Sequence, residues 1–76
     1  SRYWLVGQDI APGRYKACNN KSSSSNLIVY DSSGMSKTNE IISNSSDIGV
    51  KEVTFDLEND DLITIGGSNG ITFMPQ

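Results

Sequence analysis

The 76-residue chain has no histidine and only one cysteine, Cys18. The first absence removes the commonest general base and the commonest transition-metal ligand. The second rules out a disulfide within the chain, so burial and hydrogen bonding must hold the fold. Lys and Arg total six against nine Asp and Glu, a net charge of −3, and the six are scattered. Phosphate neutralisation needs clustered cations, so nucleic acid is not an expected partner. No apolar run approaches the roughly 20 residues of a membrane-spanning helix. Amphipathic helical spacing over a dozen residues is also missing.

What is present reads as strand and turn. Tyr3 to Val6 are β-formers. Gly7 ends that run, Asp9 is placed to nucleate a turn by accepting later N–H groups, and Ile10 is a lone apolar plug. Pro12-Gly13 fits the central pair of a type II turn, with positive φ at Gly13. Arg14 to Ala17 then alternate, with Tyr15 and Ala17 inward. Asn19 to Ser25 read as a polar loop with nothing to bury. Asn26 to Tyr30 carry four apolar residues in a row, which suggests a central strand covered on both faces. Asp31-Ser32-Ser33-Gly34 is turn chemistry, and Met35 to Asn39 a second polar connection.

Glu40 to Ser43 fit either a short strand or one helical turn, and Asn44 to Gly49 form another polar loop. Val50 to Leu57 is the clearest strand, with Val53, Phe55 and Leu57 on one face. Glu58 to Asp61 read as a hairpin turn into Leu62 to Ile65, where either Ile63 and Ile65 or Leu62 and Thr64 face inward. Gly66 to Gly70 are a tight glycine-dense connection, Ile71 to Met74 the last strand, and Pro75 its end. Turn signals about every ten residues mark a sandwich or barrel. The expected fold is all-β, a small antiparallel β-sandwich of about seven short strands, in a single domain over 1–76. Its expected core centre is Tyr15, Ile28, Val53, Phe55, Ile63 and Phe73. Its stability should be modest, about 4–11 kcal/mol by length.

The opening V-G-Q-D-I-A-P-G-R-Y, Val6 to Tyr15, resembles that of small β-rich modules in secreted and cell-envelope proteins of Gram-positive bacteria. Ile41-Ile42-Ser43-Asn44, Val53-Thr54-Phe55, Asn59-Asp60-Asp61 and Ile71-Thr72-Phe73 extend the same order over nearly the whole chain. The resemblance implies an extracellular or cell-surface location and brings no catalytic residues with it. The start at Ser1, without Met or leader, fits a fragment or processed domain of a longer exported protein.

Each candidate site has a plainer explanation. Asp56, Glu58, Asn59, Asp60 and Asp61 gather oxygen ligands, but not at EF-hand spacing, and a turn tip needs no metal. Gly66 to Gly70 lack the lysine and following helix of a phosphate-binding loop. The serines have no activating partner, and Cys18 has too little nearby positive charge to be a reactive thiol. Asn20-Lys21-Ser22 and Asn44-Ser45-Ser46 match the glycosylation acceptor pattern, which has no meaning in the bacterial setting implied above. No catalytic residue, metal ligand or cofactor is expected, nor an enzyme.

Two aromatics, Trp4 and Tyr30, stand out as ligand-binding candidates because both parities around them are apolar. If Tyr3 and Leu5 face the core, Trp4 faces out; the competing parity buries Trp4 with Val6. The expected function is a spacer or a protein- or glycan-binding unit. The alternative is an assembly domain that self-associates through strand edges.

Overall fold

Alternation of buried and exposed side chains runs through the computed structural model, which describes residues 2–45, 48–67 and 70–76. Seven strands form among these residues: β1 (Arg2–Leu5), β2 (Gly13–Asn19), β3 (Ser24–Tyr30), β4 (Ser36–Ser43), β5 (Glu52–Leu57), β6 (Leu62–Gly67) and β7 (Ile71–Pro75). They make two antiparallel sheets, ordered β1-β6-β3-β4 and β5-β2-β7. Sequential strands change sheet at every connection except the β3–β4 hairpin. The expected hairpin over Glu58 to Asp61 is therefore not one, since it carries the chain from one sheet to the other. Ser46, Asp47, Ser68 and Asn69, part of the expected loops and of one glycosylation pattern, lie outside the described residues.

The core lies between the sheets. Val6, Tyr15, Ala17, Leu27, Val29, Ile42, Phe55, Leu57, Ile63 and Ile65 are buried, with Trp4, Ile10, Val53, Ile71 and Phe73 packed against them. On the three-stranded side, the Phe55 and Phe73 rings meet edge to face at 5.5 Å, and Tyr15 lies 6.5 and 6.4 Å from them. Such aromatic contacts add to simple burial. Ile28 does not belong to this core. Leu27 and Val29 point inward with nothing left exposed, and Ile28 and Tyr30 point outward half-buried. The apolar run of β3 is thus covered by protein on one face only.

The corner between β1 and β2 works differently from a type II turn. Gly13 does have a positive φ, but of 148°, far beyond the roughly +80° of that turn. The Ala11 carbonyl, the acceptor position of such a turn, accepts the Tyr15 hydroxyl at 2.6 Å. This is a tyrosine corner, a side-chain tie back across a sheet-to-sheet crossing. Asp9 also reaches backward, accepting the Leu5 N–H at 2.8 Å.

Two polar segments gain structure from tertiary partners. Met35 to Asn39, expected as a connection, mostly belongs to the eight-residue β4, which absorbs Glu40 to Ser43 as strand. Asn19 and Ser25 are buried rather than idle in a loop. The Asn19 amide donates to the Ser23 carbonyl at 2.7 Å, and its oxygen accepts the Lys21 N–H at 3.0 Å. A side chain thereby closes the polar turn that links the two sheets.

Candidate binding face

Antiparallel partners at the same register share a face. On the outer face of the four-stranded sheet, three rows follow. Tyr3, Thr64, Ile28 and Asn39 form one; Leu5, Leu62, Tyr30 and Ser36 a second; Gly66, Asn26 and Ile41 a third. No charged residue stands in these rows. Tyr3 is 65 % exposed and Ile41 43 %, while Leu5, Leu62, Ile28 and Tyr30 are half-buried. Tyr3, Tyr30, Ile28, Leu62, Asn26 and Gly66 line one shallow groove. A Cβ at Gly66 would meet nothing within 4 Å, so the surface above it is open. At its margin the Asn26 amide donates to the Asn39 side-chain oxygen at 3.1 Å.

Trp4 is not part of this face. It pairs with buried Ile63 on the inner side, so the parity that places Val6 inward is the one adopted, and Trp4 does not face out. The backbone shows why. Val6 donates to the Asp61 carbonyl at 2.9 Å and accepts the Asp60 N–H at 3.0 Å. That lock turns the Val6 side chain into the core and fixes the alternation back through Trp4 and Tyr3. Gly7 beside this lock has a φ of 97°, which favours glycine, and its side-chain-free surface lies against the Asn59 amide. Trp4 and Tyr30, the two residues singled out from the sequence, therefore lie on opposite faces of one sheet. Tyr3 replaces Trp4 beside Tyr30.

Trp4 instead lines a cleft of about 210 Å³ between the sheets, with Arg2, Asp9, Ile10, Ile71 and Phe73 around it. The Arg2 guanidinium sits 5.2 Å from the centre of the indole ring, a cation–π contact. The cleft opens between β1 and β7, each at one edge of its sheet.

Two of the four carboxylates of the acidic cluster, Asp61 and Asp56, already have partners. Asp61 is 2 % exposed and accepts the Lys37 ammonium at 2.6 Å and the Glu58 N–H at 2.9 Å. The Asp61 carboxylate in turn pushes the Lys37 ammonium above the usual lysine range. Asp56 faces Arg14 at 2.8 and 3.3 Å, and that hydrogen bond holds its carboxyl below the usual range. Asp31, at the β3–β4 turn, is also held low, first by the Ser33 hydroxyl and then by the Met35 N–H. Among the described residues no group of three or more His, Cys, Asp or Glu is placed to hold a metal. Cys18 is half-buried with Glu52 and Thr72 as cross-strand neighbours.

No protein-family model, curated protein or solved structure matches the chain. No helix among the described residues is long and apolar enough to cross a membrane.

Proposed function

We propose that the chain is a non-catalytic binding module of a bacterial cell-envelope protein, acting outside the cytoplasm, with the neutral outer face of the four-stranded sheet as its contact surface. The observation that carries this reading is the exposure of Tyr3 in register with Thr64 and Ile28, one row from Leu5, Leu62 and Tyr30. Tyrosine offers a large, rigid, amphipathic contact at little conformational cost, and contiguous exposed apolar surface marks binding sites. The cell-envelope setting is supported by the Val6 to Tyr15 motif and its companions along the chain.

Assembly through the β1 and β7 edges has less support. β1 is only four residues long, and Pro75 stands on β7. Alternate residues of β7 bond to β2, as the Asn20–Gly70 and Gln76–Arg14 pairs show. Pro75 therefore turns its missing N–H toward the open edge. Short edges and edge prolines discourage strand addition.

The test is binding of the fluorescently labelled chain to purified Gram-positive envelope fractions. The chain should bind, and a Tyr3→Ser/Tyr30→Ser double variant that keeps its melting temperature should not. Equal binding by both, or by neither, overturns the reading.

A further inference from the structure

We infer that the occupant of this face is a neutral oligosaccharide chain that lies across β1, β6 and β3 and runs over the open surface at Gly66. The inference rests on the proposed binding face and names the chemistry that it selects. Three observations lead to it.

The first is charge. The chain holds 15 ionisable Lys, Arg, Asp and Glu residues, yet none stands in the three outer rows of this sheet. A charged ligand would find no counter-charge there, whereas a neutral one gives up no ionic hydration on docking. The second is the mixture of surfaces. A pyranose ring has apolar C–H faces and a hydroxyl rim. Tyrosine rings present electron-rich faces to the former. The Asn26–Asn39 pair uses one donor and one acceptor on each other, which leaves Asn26 Oδ1 and Asn39 Nδ2 capacity for hydroxyl groups.

The third is spacing. Tyr3 and Tyr30 stand two strands and one outer row apart. With strands about 4.8 Å apart and about 3.4 Å of rise per residue, their Cα atoms are separated by roughly 12 Å. One sugar ring does not reach both, but a short chain of rings does. Gly66 stands in the row beyond Tyr3, beside Asn26, and nothing fills the space above it. The groove thus has aromatic supports at two points, an amide pair on its margin and an open stretch without a side chain at Gly66. A protein partner of equal area would be expected to offer charged rim contacts, for which these rows hold no match.

The experiment is titration of the isotopically labelled chain with hexamers of glucose, mannose and N-acetylglucosamine, with a hyaluronan oligosaccharide as the charged comparator. At least one neutral hexamer should shift the amide signals of Tyr3, Asn26, Ile28, Thr64 and Gly66 at millimolar concentration, and hyaluronan should not. Tyr3→Ala and Tyr30→Ala should each weaken binding about tenfold. Gly66→Leu, which raises a bulky side chain over that open surface without a contact within 4 Å of the new Cβ, should abolish binding at an unchanged melting temperature. Arg14→Ala, on the other sheet, should change nothing. Failure of all three neutral hexamers to shift these amides overturns the inference, as does binding that Gly66→Leu leaves intact. If envelope binding still depends on Tyr3 and Tyr30 while the hexamers fail, the glycan is wrong and the face survives. If the same amides shift only with protein concentration, the occupant is a second copy of the chain.

Discussion

The two outer faces of the sandwich are built on the same kind of antiparallel ladder, and they are dressed differently. On the three-stranded sheet, Arg14 pairs with Asp56 at 2.8 Å and Lys16 with Glu52 at 3.8 Å. Its cations and carboxylates mostly satisfy each other and otherwise meet water. On the four-stranded sheet, the outer rows hold Tyr3, Leu5, Ile28, Tyr30, Leu62 and Ile41 with amides, hydroxyls and a glycine. Exposed ion pairs contribute little to stability, and half-exposed aliphatics contribute less than buried ones. The difference between the faces is therefore better understood as a difference in what each can bind than in what each adds to the fold.

The largest test of this comparison is across a single strand. Leu27 is fully buried and its neighbour Ile28 faces outward. Leu27→Ala should cost about 3–5 kcal/mol and Ile28→Ala about 1 kcal/mol, as read by urea unfolding. Equal costs would mean that the two faces of β3 have been exchanged.

Next comes the rim where β4 and β6 begin. Asp61→Ala removes the acceptor for Lys37 and for the Glu58 N–H, and should cost about 2 kcal/mol, as lost hydrogen bonds to a charged group do. The pair also sets an alkaline signature. Its contribution is full below the ordinary lysine value of about 10.4 and is lost as pH rises through the raised folded value of Lys37. A Lys37→Met variant should lack that alkaline loss, and a stability–pH curve superimposable on the parent would discard the pairing.

Smaller still is the tyrosine corner. Tyr15→Phe keeps the ring among Phe55 and Phe73 and removes the bond to the Ala11 carbonyl, at about 1 kcal/mol. A loss below a few tenths would show that the hydroxyl is exchanged for water without penalty.

The smallest effect is expected where binding is expected to be largest. Tyr3→Ala should change stability by less than about 0.5 kcal/mol, as exposed positions do. A larger loss would place Tyr3 in the fold rather than in recognition.

Particular residues show how far the sequence carries. Val53, Phe55 and Leu57 alternate strictly with polar residues, so their face was legible from period two alone. Val53 ends half-buried, Phe55 and Leu57 buried. The Asp31 turn was legible because its bonds run to Ser33 and Met35, within four residues. Leu27 to Tyr30 hold no alternation, so only the pairing of Leu27 with Ile65 and Val29 with Ile63 decides which two face inward. Asp61 looked like a turn tip, and its burial depends on Lys37, 24 residues away.

Local sequence determined the strand character, the turn at Asp31, the inward face of β2 and β5 and the scarcity of cations, because each depends on side chains within a few residues. The tertiary structure alone decided which strands share a sheet, which side of β1 meets the core, and hence that Tyr3 rather than Trp4 stands beside Tyr30. The physical reason is that the run of four apolar or aromatic residues from Tyr3 to Val6 buries either side equally well. Its parity was settled by two backbone hydrogen bonds from Val6 to the corner at Asp60 and Asp61, more than fifty residues further along the chain.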